Sequence, residues 1–117
     1  MTQQYPELHP DAIVKLLDDA KAEDIVCLNV SELTTMLDTM IVVTATSTPH
    51  INALSNKIVA EAKPLMSAKP KMEGTPETGW MLIDLGSTIV HVMLADTRAF
   101  YQIEQLWQAS PNQPPAT

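Results

Sequence analysis

The sequence predicts a single α/β domain built on a mixed sheet of about five strands with flanking helices. Three observations carry that expectation. Two short β-branched runs, DIVCLNV (24–30) and TMIVVTAT (39–46), are apolar on both faces, the pattern of strands covered on both sides. Apolar residues at helical spacing lie on either side of them: Ile13, Leu16, Leu17 and Ala20 before, and Ile51, Leu54, Ile58 and Ala62 after. The apolar run GWMLIDLGSTIVHVM (79–93) divides at Gly86-Ser87 into two strand-length halves. The resulting order, α-β-β-α-β-β-β-α, is that of an α/β fold.

Pro10-Asp11 opens the first helix, whose Asp18, Asp19 and Lys21 point outward. The runs at 24–30 and 39–46 then read as central strands. Ser47 or Thr48 caps the second helix, Pro49 suits its first turn, and Pro64 stops it. KPKMEG (69–74) reads as a short strand before the hairpin. After Leu94, Asp96 or a neighbour caps a last helix with Ala99, Phe100, Ile103, Leu106 and Trp107 on its inward face, and Arg98, Tyr101 and Gln105 on the other. Residues 1–9 and the proline-rich 110–117 are expected to be flexible tails around a domain at 10–109.

Composition narrows the function classes. At 117 residues the chain can bury one core without disulfide or metal staples. Fourteen acidic against seven basic side chains give a formal charge of -7, and eight of the acids but two of the bases fall in the first forty residues. Such a surface repels phosphate backbones and anionic lipid, so no direct nucleic-acid readout and no membrane contact are expected, whereas a basic protein partner is attracted. Cys27, the one cysteine, is expected to be a buried small hydrophobe in a reducing compartment. The opening MTQQYPELHP has no leader pattern and no later stretch approaches the ~20 apolar residues of a membrane span, so a cytoplasmic location is expected.

With Gly86-Ser87 as a two-residue loop, Trp80 faces Met93, Leu82 faces His91 and Asp84 faces Ile89, while Met81, Ile83, Leu85, Thr88, Val90 and Val92 form a nearly uniform apolar face. Asp84 then lies diagonal to His91, within reach of a hydrogen bond. That pair suits either general-base chemistry or a structural histidine. Base chemistry needs a nucleophile or metal in reach, and neither a G-x-S-x-G elbow nor H-x-x-H or C-x-x-C spacing occurs. No metal and no cofactor are expected. Tyr101, on the side opposite the apolar stripe and beside Arg98, instead suggests a protein contact, as does Trp80 where the mixed face is only partly covered. A homodimer is a further possibility, because an apolar two-faced hairpin also serves self-association.

The motifs EG(x5)WMLIDLG, IVHVM and R(x2)Y(x2)E(x)LW together resemble the signature of the ribosomal silencing factor family (RsfS, Iojap or YbeB). They cover Glu73, Gly74, Trp80, Asp84, Leu85, Gly86, His91, Arg98, Tyr101, Glu104 and Trp107; upstream, Asp24, Asp38, Met40, Thr44, Thr46, Ser47 and His50 match as well. The resemblance implies a nucleotidyltransferase-like arrangement without enzymatic activity. It also implies binding to the large ribosomal subunit through its fourteenth protein (uL14), which sterically blocks joining of the small subunit and lowers translation when nutrients are short. A working nucleotidyltransferase, or a nucleotide-binding relative, is the alternative, but the chain has no Asp-x-Asp pair for its metals. The resemblance implies Trp80, Asp84, Leu85, Tyr101, Glu73, His91 and Arg98 as partner contacts. Leu85, at the hairpin tip, is expected to lie outside the core, so that Leu85→Arg would remove binding and leave the fold. Ala45, Pro49, Gly79 and Ser87 depart from the family's usual glycine, arginine, aspartate and acid; the last leaves the hairpin tip without an ion-pairing group.

Overall fold

The computed structural model describes residues 9–66 and 68–108, so the expected tails lie outside the described residues except for His9. Nine elements follow one another: α1 (Pro10–Asp19), β1 (Glu23–Asn29), β2 (Thr39–Ala45), α2 (Thr48–Ala62), β3 (Lys71–Thr75), β4 (Trp80–Asp84), β5 (Thr88–Leu94), α3 (Ala95–Tyr101) and α4 (Ile103–Gln108). The five strands form one mixed sheet in the order β1-β2-β5-β4-β3, with β2 and β5 parallel and the other pairs antiparallel. The predicted order of elements holds, with the last helix in two pieces.

Local chemistry explains the helix starts. His9 accepts the Asp11 N–H and Pro10 needs no donor partner at the first turn of α1. Ser47 caps α2 by accepting the His50 N–H at 3.1 Å. His50 then joins three elements: its Nδ1 accepts the Thr46 N–H at 2.9 Å, and its Nε2 lies 3.0 Å from the Ala20 carbonyl at the end of α1.

Helices α1 and α2 pack on one face of the sheet, where Ile13, Leu17, Ile51, Leu54 and Ile58 meet Ile41, Val43, Ile83, Val90 and Val92, all fully buried. The other face has a smaller core in which Ile103 of α4 and the 30–38 connection, through Val30, Leu33 and Leu37, cover Met40, Val42 and Met93. Strand β2 is an interior strand, buried from Met40 to Ala45, as expected. Strand β1 is not central: only β2 pairs with it, which makes it an edge strand, and none of its residues is fully buried. Cys27 is consequently exposed rather than buried, and burial of its surroundings together with the Asp11 charge raises its pKa, which keeps the thiol protonated.

The hairpin register matches the expected one residue for residue: Trp80↔Met93, Leu82↔His91, Asp84↔Ile89. Its tip, however, does not project. The Ser87 carbonyl accepts the N–H groups of Asp38 and Thr39 at 2.8 and 3.1 Å, and Leu85 N–H donates to the Thr88 carbonyl at 2.8 Å. Pairing therefore continues through Leu85, whose side chain follows Met81 and Ile83 into the main core and is 3% exposed. Alternation along the strand, not position at the tip, decides its side. The expectation that Leu85 lies outside the core is overturned, and an arginine there would strand an unpaired charge in the core. Leu85→Arg is expected to lower stability by about 3 kcal/mol or more, read as loss of a cooperative thermal transition; a melting temperature within a few degrees of wild type would contradict this packing.

Candidate functional site

Residues that pair across the strands share a face, so β3, β4 and β5 place Lys71, Glu73, Thr75, Trp80, Leu82, Asp84, Ile89 and His91 on the side opposite α1 and α2. On that side α3 and α4 lie over β1, β2 and β5. Strand β3 is exposed along its length, and Trp80, Leu82, Asp84 and Ile89 are only half buried. One half of this face is thus core and the other half is open.

Aromatic rings climb the boundary between the halves. Trp80 donates its Nε1–H to His91 Nδ1 at 3.0 Å, and the two ring centroids are 5.8 Å apart. On the outer side the Tyr101 ring lies 4.9 Å from Trp80, and Phe100 stands edge-on to Tyr101 at the same distance. Tyr101 is 51% exposed and Phe100 79%. The row runs from buried imidazole to exposed phenyl, a concentration of apolar area, whereas apolar residues on protein surfaces are ordinarily scattered singly.

The helix break sets this row. Gln102 adopts φ 47° and ψ 46°, which ends α3 and turns α4, so that Ile103 enters the core while Phe100 and Leu106 remain outside. A single continuous helix with Ala99, Phe100 and Leu106 facing inward is therefore corrected, since all three are exposed; the side chain of Trp107 lies outside the described residues. Arg98 holds the break. Its guanidinium reaches Glu104 at 3.0 Å, the Asp24 carbonyl at 2.7 Å and Thr44 Oγ1 at 2.8 Å. Asp24, at φ 48°, stands in an irregularity of the β1–β2 ladder that turns its carbonyl toward Arg98. Arg98 is thereby buried and internally bonded, not on an outward face beside Tyr101.

Of the residues singled out from sequence, Glu73, Trp80, Asp84 and His91 come together on the open face and Tyr101 joins them through its stack on Trp80. Leu85 lies on the opposite side of the sheet, and Arg98 beneath α3. The expected Asp84–His91 hydrogen bond is replaced by two others: Asp84 Oδ1 accepts the Gly86 N–H at 2.9 Å, and His91 takes the Trp80 indole. Leu82, Ile89 and Phe100 complete the surface. The hairpin alternation already placed Leu82 and Ile89 on that side; Phe100 had no sequence signal. Beside Asp84 and Ile89 a cavity of about 460 Å³ is lined by Met36, Leu37, Met66 and Lys71 as well. Among the described residues no group of three His, Cys, Asp or Glu side chains is placed to hold a metal, and no helix is long and apolar enough to cross a membrane.

Two glycines shape the rim. Gly74 has φ +96°, and a Cβ there would lie 2.5 Å from the Trp80 carbonyl oxygen, so β3 approaches β4 only with glycine. Gly79 has φ +80°, and a Cβ would meet Thr97 Oγ1 at 2.5 Å. Its carbonyl accepts the Leu94 N–H, tying the start of β4 to the start of α3. The glycine that departs from the family's usual aspartate thus fits a crowded left-handed position.

Residues 2–116 match the family model described as "Ribosomal silencing factor during starvation". The chain is 35% identical over 95 residues to "Ribosomal silencing factor RsfS" of Haemophilus influenzae, covering 81% of this chain and 93% of that protein. It is 32% identical over 96 residues to "Protein Iojap, chloroplastic" of Zea mays, covering 82% of this chain and 42% of that protein. The crystal structure of a Chromobacterium violaceum protein superposes with a TM-score of 0.77 at 32% identity, covering 94% of each chain.

The His91 contact makes a pH prediction. Burial lowers the imidazole pKa from its ordinary 6.5 to about 4. As acceptor from the indole, the neutral ring carries its proton on Nε2, and protonating Nδ1 would set two N–H groups against each other. The unfolded chain takes up this proton near 6.5 and the native one only near 4, so stability contributed by the neutral ring is present above 6.5 and lost as pH falls toward 4. Between pH 7 and 5 this costs about 2 kcal/mol. His91→Gln, whose amide oxygen can accept the same indole N–H, is expected to flatten urea-denaturation stability over that interval; an unchanged slope would refute the assignment.

Proposed function

The chain belongs to the ribosomal silencing factor family, and on that premise we propose that it docks through its open half-face on the fourteenth protein of the large ribosomal subunit and, by its bulk, keeps the small subunit from joining. Translation is thereby repressed in the cytoplasm when nutrients are scarce. The observation that carries the reading is the row from half-buried Trp80 to exposed Tyr101 and Phe100, beside Leu82 and the carboxylates of Glu73 and Asp84. Aromatic anchors flanked by two carboxylates, with Lys71 across the strand from Asp84, suit a basic protein surface, and the chain's charge of -7 disfavours a surface of bare phosphate.

Size supports the same reading. A standard interface takes about 800 Å² from each partner, roughly a tenth of the 7148 Å² surface of this domain. What remains outside such a contact is the bulk that obstructs the second subunit. Anti-association of this kind requires affinity and volume and no chemical step, so the proposed activity uses neither cofactor nor catalytic residue.

A sucrose-gradient profile of mixed ribosomal subunits tests the proposal: the wild-type protein is expected to migrate with the large subunit and to diminish the joined peak. Tyr101→Ala, which removes a half-exposed ring, is expected to weaken binding by about 2 kcal/mol, some thirtyfold, while changing stability by less than about 1 kcal/mol. Leu82→Arg, on the open face, is expected to remain folded and to abolish binding through like-charge repulsion. Wild-type protein left at the top of the gradient, or both variants binding as wild type, would refute the proposal.

A further inference from the structure

Toward β3 the open half-face contains a hollow of about 240 Å³ lined by Glu73, Gly74, Thr78, Trp80 and Leu82. We infer that this hollow receives the cationic end of an arginine or lysine side chain from the docking partner, held between the Glu73 carboxylate and the Trp80 indole. The inference rests on the docking reading above and specifies the chemistry of the partner group at one point of that interface.

The register supplies the geometry. Glu73 stands opposite Leu82, and Thr75 opposite Trp80, so Glu73 is the diagonal neighbour of Trp80 on the same face. Diagonal neighbours are about 7–8 Å apart, a gap that long side chains span. Leu82, opposite Glu73 and next to Trp80 on this face, offers an apolar strip for an aliphatic stem.

The polarity of the lining selects a cation. The Trp80 N–H is engaged by His91, so Trp80 presents only its π-system to the hollow. The Thr78 hydroxyl donates to the Thr75 carbonyl at 2.7 Å, which leaves its oxygen as an acceptor. Among the described residues Glu73 is in no ion pair. The side chains therefore offer a carboxylate, an aromatic face and an acceptor oxygen, and no unengaged donor. An anion finds no side-chain donor there, whereas a guanidinium or ammonium, which has only donors, is met by carboxylate and ring together.

Two measurements on the full chain test this. Equilibrium binding to purified large ribosomal subunits is compared for wild type, Glu73→Gln and Glu61→Gln, the last removing the same charge from α2 on the other side of the sheet. Glu73→Gln is expected to weaken binding at least tenfold and Glu61→Gln less than about threefold. Equal losses, which would mean a general field effect, or no loss at Glu73, would overturn the inference. In the second measurement, N-acetyl-arginine amide is titrated into labelled protein and followed by amide and indole NMR signals. Millimolar shifts at Gly74 and the Trp80 indole that vanish in Glu73→Gln support the hollow, and their absence in the wild type overturns it even if ribosome binding is normal. If the wild type shows those shifts but does not bind large subunits, the docking reading fails and the cation site stands.

Discussion

A five-stranded sheet has two faces to cover, and this chain has helices enough for about one and a half. Helices α1 and α2 cover one side over β2, β5 and β4, leaving Cys27 of β1 and Met72 of β3 exposed at its margins; α4 and the 30–38 connection close the other only over β1, β2 and β5. The uncovered half over β3 and β4 is where the candidate site lies. Its apolar residues are the ones that alternation along the strands forces to that side, and no other element of the described chain is left to shelter them. Half-buried Trp80 and Leu82 and exposed Phe100 and Tyr101 are the surface cost of this arrangement.

The boundary between covered and open halves depends on one buried arginine. Arg98 bonds β1 through the Asp24 carbonyl, β2 through Thr44 and α4 through Glu104, and so clamps the two short helices at their left-handed junction. With only seven and six residues, α3 and α4 are too short to hold together on helix propensity. A buried charge is costly unless its donors are satisfied, and here each of the three guanidinium nitrogens has a partner. The clamp fixes where Ile103 enters the core and hence where Tyr101 meets Trp80. A residue whose motif suggested a contact role acts on the surface by holding it from beneath.

Much of this was legible in the residues. The two-residue loop at Gly86-Ser87 determined the hairpin register, and with it the partition of Trp80, Leu82, Asp84 and His91 from Met81, Ile83 and Val90. The cap at Ser47 and the helix start at Pro10 were readable because they are local. What was not legible is tertiary. Apolar composition on both faces of 24–30 does not reveal strand order, so β1 read as central and Cys27 as buried. The break at Gln102 has no glycine or proline to announce it and follows from long-range bonds to Arg98. Leu85 was pulled two ways, outward by its place at a tip and inward by alternation; the Ser87 carbonyl, bonded to Asp38 and Thr39, seats that tip against the sheet and settles the matter. Asp84 and His91, neighbours on one face as expected, each found a nearer partner.

On the proposed docking, the half-open face of the sheet over β3 and β4, and not the β1 edge or the side covered by α1 and α2, meets the ribosome. Hydrogen–deuterium exchange of the protein free and bound to large ribosomal subunits tests this, since protection on binding maps the contacted backbone. Slowed exchange is expected in 71–75, 80–84 and 95–101, with α1, α2 and β1 unchanged. Protection confined to α2 or to the β1 edge, with 71–84 exchanging as in the free protein, would contradict it.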